Sequence, residues 1–395
     1  MRILILTNLF PNEGDPERGI FVKQLADALS NRIDVTVVSP LPYFPDAGFL
    51  RRFSRWQKFA VVPFEGRGFR YPVYYPKYPY IPKVSEYFHP SLVWIGLKGL
   101  RKRFLLEPRF DVINAQWLYP DVVAAAWFAE SLNVPLVATG HGCDVNRDLA
   151  APRKSAKIIK ALGTAGRITV VSQPLRKKLL AAGIPDGKIR VIPNGVDPVL
   201  FPLADRERAL AARNLDPRPR RILFVGQLVE VKGIPNLVGA VARLREASAE
   251  SFVVHLLGDG PLLGDLKELA VRLGVGHLIH FEGQRPHHEV AEWMGVADLL
   301  VLPSIREGCP NVVLEALSSG IPVVAARVGG IPDLVDADGG ILVEPDDSDA
   351  LARAIGRALT WPWDRAAIRA KVVGKNWSAI ARQYEDVYRE TVAEA

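Results

Sequence analysis

The 395-residue chain is 49% hydrophobic and 24% charged, a globular composition that excludes a disordered chain, and its length exceeds the usual span of one core, so two domains are expected. Two cysteines, Cys143 and Cys309, exclude a disulfide scaffold and fit a reducing compartment. The net charge of +7 is unevenly spread: residues 1–200 hold 28 Lys and Arg against 16 Asp and Glu, residues 201–395 hold 22 against 27, and residues 49–105 alone hold 12 against two.

The chain opens on MRILILTNLFP, an apolar run too short for a signal peptide and suited to a buried first strand. SLVWIGLKGL, broken by Lys98, falls well short of the roughly 20 apolar residues of a membrane span, so a cytoplasmic protein is expected. Further short, β-branched runs follow in the first half: DVTVVSP, DVINAQ, PLVATG, RITVVS and KIRVIPN. The second half repeats them as RILFVG, FVVHLLG, LIHFEG, DLLVLPS, PVVAA and GILVE, with helix-length amphipathic stretches between. Strands that are apolar on both faces and alternate with helices predict parallel sheets covered by helices, hence two α/β units. The Pro- and charge-rich stretch DPVLFPLADRERALAARNLDPRPR, Asp197 to Arg220, is the expected junction. Residues 41–83, dominated by Pro and aromatics, read as a long irregular insertion. The last helix, WSAIARQYEDVYRE, puts Ile380, Tyr384, Val387 and Tyr388 on one face that must dock.

Candidate site residues sit where these strands end. In PNEGDPERG, Gly19 follows Arg18 and opens a helix; it is either an ordinary loop glycine or one that lets backbone amides approach an anion. In TGHGCDVN, His141 stands between two glycines at a strand's carboxyl end, exposed to donate a hydrogen bond or act as a base, or else to cap backbone. In VGQLVEVKG, Lys232 starts a helix and can hold a phosphate as a point charge or simply be solvated. In EGCPNVVLE, Glu307 lies in a loop above a strand end and Glu315 lies inside the following helix, with Pro310 near its first position and Gly320 past its end. The two carboxylates are therefore not a fixed pair, and the amides of Gly308, Cys309, Pro310 and Asn311 mark out a helix N-terminus able to take a phosphate or sugar hydroxyl (Pro310 without an N–H). The Asp336 to Asp338 and Asp346 to Asp349 clusters resemble metal carboxylates, but the first lies in a polar turn and Asp349 is placed to cap a helix, so no metal is expected.

Together, REGCPNVVLEALSSGIPVVAARVGGIPDLV, VIPNGVD, VGQLVEVKG and LLGDGPL resemble the retaining glycosyltransferases of family 4, and the resemblance spans nearly the whole chain. It implies a GT-B fold, two Rossmann-like domains facing across a cleft, with boundaries at 1–198, 199–375 and a final helix 376–395 returning to the first domain. It implies that Glu315 binds the donor's ribose hydroxyls, that Glu307 and the amides from Gly308 to Asn311 hold the sugar and diphosphate, and that Lys232 neutralises the diphosphate. Gly19 would approach the diphosphate and His141 the donor sugar, with no cofactor beyond the nucleotide sugar, a UDP- or GDP-sugar. Where the family usually has Arg, this chain has Gln227, a neutral amide, which shifts the charge load to Lys232, helix dipoles or Arg18.

The basic segment 49–105, with Trp56, Phe59, Trp94, Phe104 and the run Arg101, Lys102, Arg103, suits an anionic membrane surface and a glycan or lipid-linked saccharide acceptor. A solvated basic face is the plainer alternative, and nucleic acid is not expected because no binding module is present. The rival readings are a GT-B phosphorylase or epimerase, a soluble GT-B synthase acting on a small phosphorylated acceptor, and a non-catalytic nucleotide-sugar-binding protein.

Overall fold

The computed structural model describes residues 1–43, 58–81, 84–107, 109–247 and 251–395. The chain forms two compact units, Met1–Pro193 with Trp377–Ala395, and Asn194–Asn376. Both are built as the apolar runs predict.

In the first unit, β1 (Arg2–Thr7), β2 (Asp34–Val38), β3 (Leu41–Tyr43), β4 (Val73–Tyr74), β5 (Lys77–Pro79), β6 (Val112–Gln116), β7 (Leu136–Gly140), β8 (Arg167–Val170) and β9 (Ile189–Val191) follow in chain order. Seven of them make a parallel sheet of order β4-β2-β1-β6-β7-β8-β9, and β3 pairs with β5. In the second unit, β10 (Arg220–Val225), β11 (Phe252–Leu257), β12 (Ile279–Gly283), β13 (Leu299–Leu302), β14 (Val323–Ala326) and β15 (Gly340–Val343) form a parallel sheet of order β12-β11-β10-β13-β14-β15. In each sheet the strand order reverses once, between β1 and β6 and between β10 and β13. Outside the carboxyl ends at such a reversal, loops diverge and leave a crevice for ligand.

The closing helix, Trp377–Ala393, belongs to the first unit. Its face of Trp377, Ile380, Ala381, Tyr384, Val387 and Tyr388 is buried in one core with Ile3, Ile5, Leu25, Leu29 and Val35. Glu385 on the same helix binds Arg32 at 2.6 Å and Arg389 at 2.7 Å, and both arginines hold its carboxyl below the usual carboxylate range.

Several expectations are corrected. The first break comes after Pro193 rather than after residue 198, because Asn194 bonds the Cys309 carbonyl and Asn311, and Val196 pairs with Asn376. The second comes after Asn376. The stretch Asp197–Arg220 is no junction: it lies inside the second unit, where Asp205 caps the helix Arg206–Ala212 and Arg206 binds Asp298 at 3.0 Å. Residues 41–83 are not wholly irregular either. Their described part supplies β3, β4 and β5 and buries Phe59, Val62, Tyr71 and Tyr75 in the core. Trp56 lies outside the described residues. Among the described residues Cys143 and Cys309 are not joined in a disulfide, and no helix is long and apolar enough to cross a membrane.

Candidate functional site

At the carboxyl end of the second sheet, the loops after β10, β11, β13 and β14 are stitched together by close backbone approaches. Gly233 sits at φ 62°, and a Cβ there would lie 2.1 Å from the Pro303 carbonyl oxygen. Ile305 N–H donates to the Val231 carbonyl at 2.8 Å, joining the loops after β13 and β10. Gly329, at φ 54°, leaves no room for a side chain against the Glu307 carbonyl, and Gly330 N–H donates to the Gly308 carbonyl at 2.8 Å. The glycines of VGQLVEVKG and RVGGIPDLV are thus places where one loop's backbone meets another's. Gly258 and Gly260 of LLGDGPL play the same part against the carbonyls of Gly226 and Leu228.

This stitching brings Lys232 to Glu307. Lys232 Nζ lies 2.6 Å from Glu307 Oε1, and the same oxygen accepts from Ser304 Oγ at 2.6 Å. The pair straddles the reversal between β10 and β13, where a ligand crevice belongs. Ser304 is a member that sequence reasoning passed over; its place at the last turn of DLLVLPS was the available signal.

After Glu307 the chain enters the helix Asn311–Ser318, with Pro310 at its N-cap. Asn194, from VIPNGVD, fastens this entrance by donating to the Asn311 side chain at 2.7 Å and to the Cys309 carbonyl at 3.3 Å. Cys309 is buried, and burial pushes its thiol up to about 11, so at neutral pH it is a protonated packing residue. Gln227 is exposed in the loop after β10. Glu315 is buried within the helix and takes a different partner from Glu307, His287, at 2.8 Å. The two glutamates therefore work separately, each held by its own basic group.

The Asp clusters have structural duties. Lys371 binds Asp336 at 2.6 Å and Asp338 at 2.9 Å, while Asp347, not Asp349, caps the helix Ser348–Thr360 by accepting from Ala350 N–H. Asp349 lies in the first turn of that helix and pairs with Arg243. No group of three metal-ligating side chains is present among the described residues.

In the first unit, Gly19 takes φ 62° before the helix Ile20–Ser30, and a Cβ there would lie 2.3 Å from the Leu9 carbonyl oxygen. Arg18 Nε donates to the Asn8 carbonyl at 2.8 Å, and burial holds its guanidinium below the ordinary arginine value. Asp121, in the loop after β6, accepts from the Asn8 backbone at 2.7 Å and from the Asn8 amide at 3.1 Å. Those bonds close the strand reversal between β1 and β6. Burial outweighs them and pushes the Asp121 carboxyl up to about 8.

His141 is not the freely exposed imidazole that its glycine neighbours suggest. It packs beside Trp117 and Phe21, and Nε2 lies 2.6 Å from Gln116 Oε1. The tautomer follows from the network behind it. Asn114 commits its amide nitrogen to the Val137 carbonyl and Thr139 Oγ1, so its oxygen accepts from Gln116 Nε2 and from the Tyr388 hydroxyl. Gln116 must then turn its own oxygen to His141, and His141 Nε2 carries the hydrogen. Nδ1 is buried without a partner, and burial pushes the imidazole down to about 3. His141 is neutral at physiological pH. Asp144, two residues past Gly142, accepts from the backbones of Leu118, His141, Gly142 and Val145 and so shapes this turn.

The basic run at the end of the helix His89–Phe104 is partly committed within the protein. Arg103 binds Glu65 at 2.9 Å and Glu107 at 2.8 Å and lies over Tyr74, and Arg101 reaches the Ser131 carbonyl at 3.5 Å. Phe59 and Phe104, expected on a membrane-facing surface, are buried in the core. Lys98 and Lys102 are exposed, as are the apolar Ile95, Leu105 and Leu106.

Comparison with known proteins agrees with this architecture. Residues 19–200 match the model of Glycosyltransferase Family 4, and residues 205–373 match that of Glycosyl transferases group 1. The chain is 31% identical over 407 residues to the putative teichuronic acid biosynthesis glycosyltransferase TuaC of Bacillus subtilis, covering 99% of this chain and 100% of that one. It is 32% identical to D-inositol 3-phosphate glycosyltransferase 1 of Catenulispora acidiphila over 72% of this chain and 73% of the relative. Among solved structures, sucrose-phosphate synthase of Thermosynechococcus elongatus superposes with a TM-score of 0.77 at 23% identity, covering 100% of both chains. HepE of Anabaena, in complex with UDP and glucose, superposes with a TM-score of 0.69 at 22% identity, covering 100% of this chain and 98% of that one. The chain belongs to the family 4 glycosyltransferases and has the GT-B fold.

Proposed function

We propose that this glycosyltransferase moves a sugar from a UDP- or GDP-sugar to a hydroxyl of a glycan or lipid-linked saccharide, with retention of configuration and without a metal ion. The observation that carries the reading is the Lys232–Glu307–Ser304 cluster at the β10/β13 reversal, immediately before the helix Asn311–Ser318. Lys232 and the amides at that helix entrance supply positive charge where a diphosphate leaving group gains negative charge, which lowers the barrier electrostatically. Glu307, held by Lys232 and Ser304, is the group for the donor sugar's hydroxyls. HepE, whose solved structures hold UDP or UDP-glucose, supports a nucleotide-sugar donor.

In this reading the departing diphosphate assists removal of the acceptor's proton on the same face. His141, neutral and hydrogen-bonded through Nε2, serves as a hydrogen-bond partner of the sugar rather than as a base. Its unpaired buried Nδ1 supports this, because such an atom is ordinarily kept only where something takes up the bond. Gly19 serves as a point of close backbone approach.

TuaC, named for teichuronic acid biosynthesis, supports a glycan acceptor. The exposed Lys98 and Lys102 beside Ile95, Leu105 and Leu106 support an anionic membrane surface as the place of reaction. Removing both lysine charges is expected to weaken sedimentation with phosphatidylglycerol vesicles; unchanged sedimentation ends the membrane assignment.

The test of the reaction is incubation of the full-length protein with a panel of UDP- and GDP-sugars and a membrane extract, with and without a chelator. One donor is expected to release nucleoside diphosphate equally in both arms, and Glu307→Ala is expected to abolish the release. No release with any donor overturns the transferase reading, and release lost with chelator overturns its metal independence.

A further inference from the structure

Glu315 has a partner that its sequence neighbourhood does not disclose. Oε1 lies 2.8 Å from Nε2 of His287, the first residue of the helix His287–Val296 that follows β12. An ionised carboxylate can only accept, so Nε2 carries the hydrogen. The imidazole rests on the Phe201 ring with centroids 5.2 Å apart. Phe201 is itself fully buried, and its carbonyl accepts from Ser318 Oγ and from Arg369 Nη1, each at 2.8 Å. Ser318 lies on the same helix as Glu315. Three segments distant in sequence thus converge on one carboxylate: Phe201 before β10, His287 after β12 and the helix after β13.

The chemical consequence concerns aim. A glutamate side chain has three rotatable bonds, and one buried beside a ligand site has several rotamers unless a bond fixes it. The His287 bond takes one acceptor position of Oε1 and fixes the carboxylate's orientation, leaving Oε2 and the remaining lone pair of Oε1 to accept from an incoming donor. A pair of adjacent hydroxyls is the natural ligand for a carboxylate so presented. We propose that His287 is a positioning residue for the nucleoside end of the donor, acting through Glu315 on the ribose 2′- and 3′-hydroxyls. The proposal rests on the reading of Glu315 as the ribose acceptor and adds the group that aims it.

The test is calorimetric titration of the full-length protein with UDP and GDP and with their 2′,3′-dideoxy counterparts. Wild type is expected to bind one ribonucleotide more tightly than its dideoxy form. His287→Leu is expected to lose about tenfold in affinity for that ribonucleotide, the size of a charge-assisted hydrogen bond, and to leave the dideoxy affinity unchanged. His287→Gln, which keeps an N–H donor, is expected to recover part of the loss, and in turnover the leucine variant is expected to raise the donor KM while leaving kcat nearly constant. Equal losses for the ribo and dideoxy forms would make His287 a merely structural residue and overturn the proposal, as would no loss at all. Wild type binding ribo and dideoxy forms alike, or neither nucleotide, would instead overturn the reading of Glu315 and the proposal with it. Circular dichroism of each variant separates a folding defect from these outcomes; if the leucine variant is misfolded, the glutamine variant carries the same comparison.

Discussion

His141 shows how burial decides what a residue can do. Its glycine neighbours predict an exposed imidazole that donates a hydrogen bond, acts as a base or caps backbone, yet aromatic packing and the Gln116 bond leave the ring enclosed, and burial pushes its pKa to about 3. The unfolded chain protonates this imidazole near pH 6.5, and the folded protein does not until about pH 3. Between those values the unfolded state binds the extra proton, so His141's contribution is intact above pH 6.5 and is lost progressively as pH falls. At pH 5 the loss is about 2 kcal/mol. His89, which burial pushes down to about 4, adds a loss of the same sign. Asp121, pushed up to about 8, acts the other way and loses stability as pH rises above the ordinary carboxylate value. A difference measurement isolates His141. Urea unfolding of wild type and His141→Phe at pH 7.5 and pH 5 is expected to show the variant losing roughly 2 kcal/mol less on acidification. Equal losses would mean that the imidazole is not buried in its neutral form.

At the scale of elements, the site depends on loops held together by glycine. Gly233 ends the short turn Glu230–Lys232 in a left-handed conformation and lies against the Pro303 carbonyl. Alanine there meets both a positive φ and a backbone contact that cannot swing aside. Gly233→Ala is expected to cost roughly 2–4 kcal/mol, read as a lowered urea midpoint, and to weaken nucleotide binding by parting Lys232 from Glu307. Full stability with full binding would show that the loops after β10 and β13 adjust independently. The long strands around these loops were legible in the sequence because strands buried on both faces leave continuous apolar runs. The strands β3, β4 and β5 were not, since strands of two or three residues rich in Pro and Tyr carry no periodicity. Asp197–Arg220 misled for a related reason: its Pro and charge content describes a surface, whether that surface is a linker or the flank of a unit. The site divides along the same line. Positions at strand ends and helix starts, such as Glu307, Lys232 and Gly19, could be named from local pattern. Their partners could not, because Ser304 aside, contacts such as His287 on Glu315 and Gln116 on His141 join segments that only the fold brings together.

At the scale of the molecule, each unit has its own sheet and core, but the first is completed by residues from the far end of the chain. The closing helix contributes Trp377, Ile380, Tyr384, Val387 and Tyr388 to the core under β1 and β2, and Tyr388 also ends the buried network that runs through Asn114 and Gln116 to His141. Burying five such side chains is worth roughly 10 kcal/mol at 1.5–3 kcal/mol each, comparable to the whole stability of a domain. A chain ending at Asn376 is therefore expected to lose cooperative unfolding of the first unit, whereas the second, with no residue in that helix, is expected to keep its own transition. Tyr388→Phe removes only the hydroxyl and leaves Asn114 with its bond from Gln116, so it is expected to cost about 1 kcal/mol and leave both transitions in place. Differential scanning calorimetry distinguishes these outcomes. Two intact transitions in the truncated chain would mean that the first unit's core closes without its last helix, and that the network leading to His141 is anchored from within Met1–Pro193.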